Sequence, residues 1–163
     1  IIDLRGTVGT RLSKLDDGLY DSIILASAGL KRLGLAYRIR HCLAPVLSLP
    51  AVGQGALGLE CRADDMELLK IIQPLQHDET SICVRAERAF NAYLEGGCQV
   101  PIAGYATLAN DQLSIEGRVG SVDGKTLLKQ RLIGTSEDAE QLGEQLAQCL
   151  LEQGAGELLK ALY

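Results

Sequence analysis

Tryptophan is absent from this chain, phenylalanine occurs once, and aromatic residues make up 4% of its 163 positions. A core must therefore be assembled from Leu, Ile, Val and Ala, which with Phe and Met are the residues most often found inside. No apolar run approaches the roughly 20 residues that a membrane-spanning helix needs. The best candidate, "IILASAGL" (23–30), is far too short, and the opening residues do not read as a signal peptide, so no membrane partner is expected. The five cysteines, Cys42, Cys61, Cys83, Cys98 and Cys149, are odd in number and widely spaced, with no CxxC pair. They read as free thiols of a reducing compartment, and a cytoplasmic location is expected. The two histidines, His41 and His77, stand alone, so no metal site can be assembled from them. A net charge of −5 argues against nucleic acid as a partner, although an acidic average can hide a basic pocket.

Hydrophobic residues at 47% against 23% charged describe a globular chain, long enough for one ordinary domain or two small ones. Ile1–Leu4 and Ser22–Ala26 read as buried strands, each leading through a loop into a helix. Those helices are Thr10–Leu15, stopped at Gly18, and "SAGLKRLG", ended by Gly34. "LSLPAVGQGALG" (47–58) reads as a hinge, "LGLECR" (57–62) as a third strand, and Asp64–Gln73 as a helix before Pro74. A new unit begins near His77 with a helix to Leu94. Asp78 is its expected N-cap, and Ile82, Ala86, Ala89, Phe90 and Tyr93 share one face. Ile102–Leu108, Leu113–Val119 and Thr126–Ile133 read as strands joined by "AND" and "VDG" turns. Alternation in the middle strand predicts a wet face carrying Ser114, Glu116 and Arg118. Thr135 is expected to cap a helix with Ala139, Leu142, Leu146 and Leu150 in a stripe, and Glu157–Tyr163 to form a last one. The expected class is α/β, passing to α+β with a three-stranded antiparallel sheet in the C-terminal domain.

"LEGGCQVPIAG" (94–104) sets Cys98 behind two glycines with no apolar neighbour on either side. Gly96 and Gly97 permit backbone conformations that other residues avoid, which suggests a thiol held out on a loop. The other four cysteines fall in or near apolar stretches and read as core filler. Arg5, Arg11 and Arg32 fall at or just beyond the ends of the expected strands, near helix starts, where α/β sheets bind anions. Singly each reads as a solvated surface charge; together they suggest an anion site. "RGTVGTR" fits neither a Walker loop nor a dinucleotide fingerprint, which excludes a nucleotide. Asp16–Asp17 and Asp64–Asp65 read as turn and helix-start residues, with no acid/base pair among them.

"RGTVGTRLSKLDDGLYDSIILASAGLKRLG", "LPAVGQGALGLECR" and "LEGGCQVPIAGYA", in this order, resemble three consecutive signatures of the porphobilinogen deaminase (hydroxymethylbilane synthase) family. The resemblance runs from about Leu4 to Tyr105 and continues more loosely to the end. It implies a transferase of tetrapyrrole biosynthesis that joins four porphobilinogen units, with loss of ammonia, onto a dipyrromethane cofactor. Cys98 would carry that cofactor through a thioether. Arg5, Thr7, Arg11, Arg32, Gln54 and Gly55 match cofactor- and substrate-binding positions, and Thr7 stands where some relatives carry Asn.

The implied layout is a partial periplasmic-binding-protein-like domain followed by a small one. Residues 1–54 would be the latter part of domain two with the hinge, 55–76 a segment returning to domain one, and 77–163 the cofactor-anchoring domain. The family's catalytic aspartate lies in an N-terminal domain without a counterpart here, so no catalytic residue is expected in this chain. The implied partners are porphobilinogen, the growing polypyrrole and a missing N-terminal half, without which the chain would be inactive. A different class of reading is a non-enzymatic module that holds a carboxylate ligand on its arginines. Cys98 discriminates, because such a module has no need of an exposed thiol.

Overall fold

The computed structural model describes residues 2–97 and 100–161. The chain divides into two compact units, Ile1–Leu43 and Ala44–Tyr163. The first unit holds two helices, α1 (Val8–Asp16) and α2 (Ser27–Arg32), and a 3₁₀ turn at Ala36–Arg38. Leu12 and Leu30 are its buried apolar side chains. Helix α1 starts earlier than the expected Thr10 because Thr7 serves as its N-cap, its hydroxyl accepting from the Thr10 amide at 3.3 Å. The strands expected at Ile1–Leu4 and Ser22–Ala26 are not formed: among the described residues neither segment has a ladder partner. A strand exists only through its neighbour, and Ile24 is left 80% exposed. The strand expected at 57–62 is absent for the same reason.

The second unit carries helix α3 (Met66–Ile72), which continues as a 3₁₀ turn through Pro74, and then α4 (Asp78–Tyr93). The α3 cap is Asp65, whose carboxylate accepts from the Leu68 amide. The α4 cap is His77, not the expected Asp78: its Nδ1 faces the Thr80 amide at 3.3 Å. Three strands follow, β1 (Ile102–Ala109), β2 (Gln112–Gly120) and β3 (Leu127–Thr135), then helices α5 (Ala139–Glu152) and α6 (Ala155–Lys160). Thr135 does not cap α5 directly; its hydroxyl donates to the carboxylate of Asp138, the residue at the cap position. The last helix overlaps the expected Glu157–Tyr163 but opens two residues earlier, at Ala155, and is described to Lys160.

The sheet is antiparallel in the order β1-β2-β3. Asn110 and Asp111 join the first two strands with φ of 51° and 61°, as a two-residue hairpin turn between right-twisted strands requires. Helix α4 packs on β1 and on α5, and α5 covers β2 and β3. Leu113, Ile115 and Val119 of β2 face this helical layer and meet Phe90, Leu146 and Leu150 in one apolar core. Gly104 and Gly117, partners in the β1–β2 register, form a notch for the single phenylalanine. A Cβ on Gly117 would stand 2.6 Å from the tip of the Phe90 ring.

The opposite face of β2 is not wet as expected. Arg118 is 13% exposed, pairs with Glu116, and donates to the carbonyls of Pro45 and Val46. Chain before the hinge therefore covers that face, and Ser114 accepts from Arg131 beside it.

Candidate functional site

In the first unit, three side chains hold the segment that leads into α1. Arg11 Nε donates to the Gly6 carbonyl at 2.8 Å, Lys14 Nζ to that of Arg5 at 3.1 Å, and the Tyr20 hydroxyl to that of Asp3 at 2.9 Å. The amides of Val8 and Gly9 have no hydrogen-bond partner among the described residues, the usual condition of a first helical turn. Arg5, three residues before Val8, is exposed and has no carboxylate partner among those residues, and the half-buried Arg11 has none either. Thr7 is occupied by capping, and its hydroxyl also meets that of Thr10 at 2.9 Å. Arg32 is exposed and has no carboxylate partner among the described residues, but it sits in the last turn of α2 rather than at a helix start.

Residues 1–43 carry seven Lys and Arg against four Asp and no Glu. The acidic average thus hides a basic unit. Guanidiniums without carboxylate partners among the described residues, and helix-start amides without acceptors, are donors of the kind that a polycarboxylate, such as a pyrrole cofactor bearing carboxylate side chains, requires.

In the second unit the hinge residues Gln54 and Gly55 line an open cavity of about 320 Å³ together with Thr80, Cys83, Glu87 and Tyr105. Glu87 lies on α4 and is 5% exposed. Its Oε2 accepts from the Gly53 amide at 2.7 Å and its Oε1 from the Ala106 amide at 2.8 Å. Burial pushes its carboxyl above the ordinary glutamate value, and the two amides pull it partly back. Burial also pushes the Cys83 thiol up, helped by the negative charges of Glu87 and Glu79, which makes it a poor nucleophile.

Cys98 lies outside the described residues. Its approach is described: α4 ends at Tyr93, Glu95 takes a left-handed φ of 53°, and β1 begins at Ile102. The positive φ falls on Glu95, not on Gly96 or Gly97, so the glycines have a different purpose from the one expected. Asn91 Nδ2 donates to the Gly96 carbonyl at 3.0 Å, and any Cβ at Gly96 would collide with that same amide side chain. Glycine there lets the chain turn tightly against α4.

Sequence reasoning missed Glu87, because a glutamate on a helix reads as a surface charge until its neighbours are known. Its position between Ala86 and Phe90, on the face chosen for the core, was the available signal. It also misjudged Cys42, which is exposed, and Cys61 and Cys149, which are only half-buried.

Residues 1–70 match the family model described as porphobilinogen deaminase, dipyromethane cofactor binding domain. Residues 81–152 match that of the porphobilinogen deaminase C-terminal domain. The gap between the matches, 71–80, runs from the end of α3 into the first turn of α4, beyond the hinge. Two matches in this order, over most of the chain, place it in tetrapyrrole biosynthesis: it belongs to the porphobilinogen deaminase family.

Proposed function

We infer that the chain takes part in assembling hydroxymethylbilane from four porphobilinogen units on a dipyrromethane bound to Cys98 through a thioether. The observation that carries this reading is the ordered pair of family matches, which spans both the arginine-bearing segment and the loop holding Cys98. When bound, the dipyrromethane supplies a nucleophilic pyrrole carbon to which the aminomethyl carbon of porphobilinogen is joined as ammonia leaves. A thiol suits the anchor because sulfur attacks electrophilic carbon readily, and the resulting C–S bond resists the hydrolysis that frees the product.

The chain's own residues bind and orient. Arg5, Arg11 and Arg32 take carboxylates of the cofactor and growing chain, with the Val8 and Gly9 amides as further donors. Arg11 and Lys14 hold the backbone at Arg5 and Gly6, which limits the freedom that Arg5 loses on binding. Gln54 and Gly55 line the cofactor cleft from the hinge. Under this reading residues 1–54, 55–76 and 77–163 belong to successive domains of the family's fold, and proton transfer at the pyrroles falls to a group outside residues 1–163.

Intact mass tests the anchor. The chain produced together with the N-terminal half that this reading requires, and with a porphobilinogen supply, should carry the added mass of one dipyrromethane and colour with Ehrlich reagent. Cys98→Ala should lose both while keeping its fold. A dipyrromethane retained by the variant would place the bond on another residue, and carboxylate binding without any covalent adduct in the wild type would favour a simple anion-binding module.

A further inference from the structure

Glu87 is the one charged side chain buried among the described residues. Burying a carboxylate is costly unless strong donors meet it, and here two backbone amides do so from segments far apart in sequence. Oε2 holds Gly53, the residue immediately before Gln54 and Gly55. Oε1 holds Ala106 of β1, and Glu87 itself belongs to α4. Helix α4 and strand β1 are the two elements that lead into and out of the Cys98 loop. The remaining backbone hydrogen bonds of 50–58 are local turns, Gln54 to Ala51 and Ala56 to Gly53. Among the described residues, the Gly53–Glu87 bond is therefore the one hydrogen bond that ties this stretch to another segment.

We propose that Glu87 is a positioning residue: its carboxylate locks the hinge at Gly53 to the α4–β1 frame, so that Gln54 and Gly55 keep a fixed place relative to the two elements that precede and follow Cys98 in the chain. Packing alone does not call for this residue, since an apolar side chain would fill the same space without a desolvation cost. A carboxylate offers acceptors on both oxygens, which two converging N–H groups require. Glutamine accepts on one and turns an NH₂ toward the other. The functional half of the proposal rests on the cofactor-lining reading of Gln54 and Gly55 given above.

Amide hydrogen exchange in the full chain tests it, comparing wild type with Glu87→Gln and with Glu87→Asp, whose shorter arm cannot span both amides. In wild type the Gly53 amide should be protected, and those of Gly55 and Leu57, which lack partners among the described residues, should not. In either variant Gly53 should exchange about tenfold faster or more, while Ile115 and Leu146 in the core change by less than about threefold. An unprotected Gly53 in wild type overturns the proposal without any variant, and so does equal acceleration of hinge and core.

A porphobilinogen titration followed at the Gln54 and Gly55 amides separates the two layers of the argument. If these amides do not respond in wild type, the cofactor-lining reading fails, whatever Glu87 does to exchange. If they respond at the same concentration in wild type and in both variants, the positioning role fails and the reading stands. A response requiring about threefold more porphobilinogen in the variants, with the core intact, is the expected result.

Discussion

At the scale of single residues, Glu87 links stability to pH in an unusual direction. Its carboxyl titrates above the ordinary glutamate value because of burial, against the pull of the Ala106 and Gly53 amides. The folded chain then takes up this proton at a higher pH than the unfolded chain does. Glu87 accordingly contributes stability that is present below the unfolded value and lost as pH rises through the folded one. The urea midpoint of wild type should gain on that of Glu87→Gln as pH is lowered toward the ordinary glutamate value from above, and a gap that stays constant with pH would refute this. Protonation also removes one acceptor oxygen, so protection of Gly53 or Ala106 should fall over the same interval. Stability and hinge attachment then move in opposite senses, a separation that a purely structural glutamate would not show.

At the scale of elements, α4 and α5 meet closely enough at Gly143 to leave no room for a side chain. A Cβ on Gly143 would overlap the Ala86 carbonyl and stand 2.9 Å from the Phe90 amide nitrogen, both backbone atoms of α4. Helix propensity alone favours Gly143→Ala by about 1 kcal/mol. The overlap reverses the sign, because backbone cannot swing aside as a side chain does, and overpacking of this kind costs about 1–3 kcal/mol. Urea unfolding of Gly143→Ala should show a lower midpoint with little change in slope; a rise would mean that the helices separate freely.

At the scale of the whole molecule, the two units are unequally built. The first buries Leu12 and Leu30, whereas the second closes a continuous core running from Ala86 to Ala155 across both helices and the sheet. Local unfolding draws on the least buried regions, and the segment around Val46 and Leu47 is exposed as well. Limited proteolysis should therefore cut first within residues 1–50 and leave a resistant fragment containing 77–161. Early cleavage at the Asn110–Asp111 turn or in the 121–126 loop would show that the second unit is the weaker one.

The C-terminal half was legible in the sequence because its signals are local. The 3.6-residue stripe of α5, the alternation in β2 and the Asn110–Asp111 turn each depend on neighbours a few positions away. The family could be read for the same reason, since its signatures are short contiguous runs. Three features were settled only by long-range packing. Ile2–Leu4 and Ser22–Ala26 have strand-like composition but no ladder partner among the described residues, and composition cannot supply one. The second face of β2 is covered by a segment some seventy residues earlier, through Arg118. Glu87 looks like any helical glutamate until the fold brings Gly53 and Ala106 to its two oxygens. Local periodicity shows which face of an element turns inward; what meets that face depends on contacts between residues far apart in the chain.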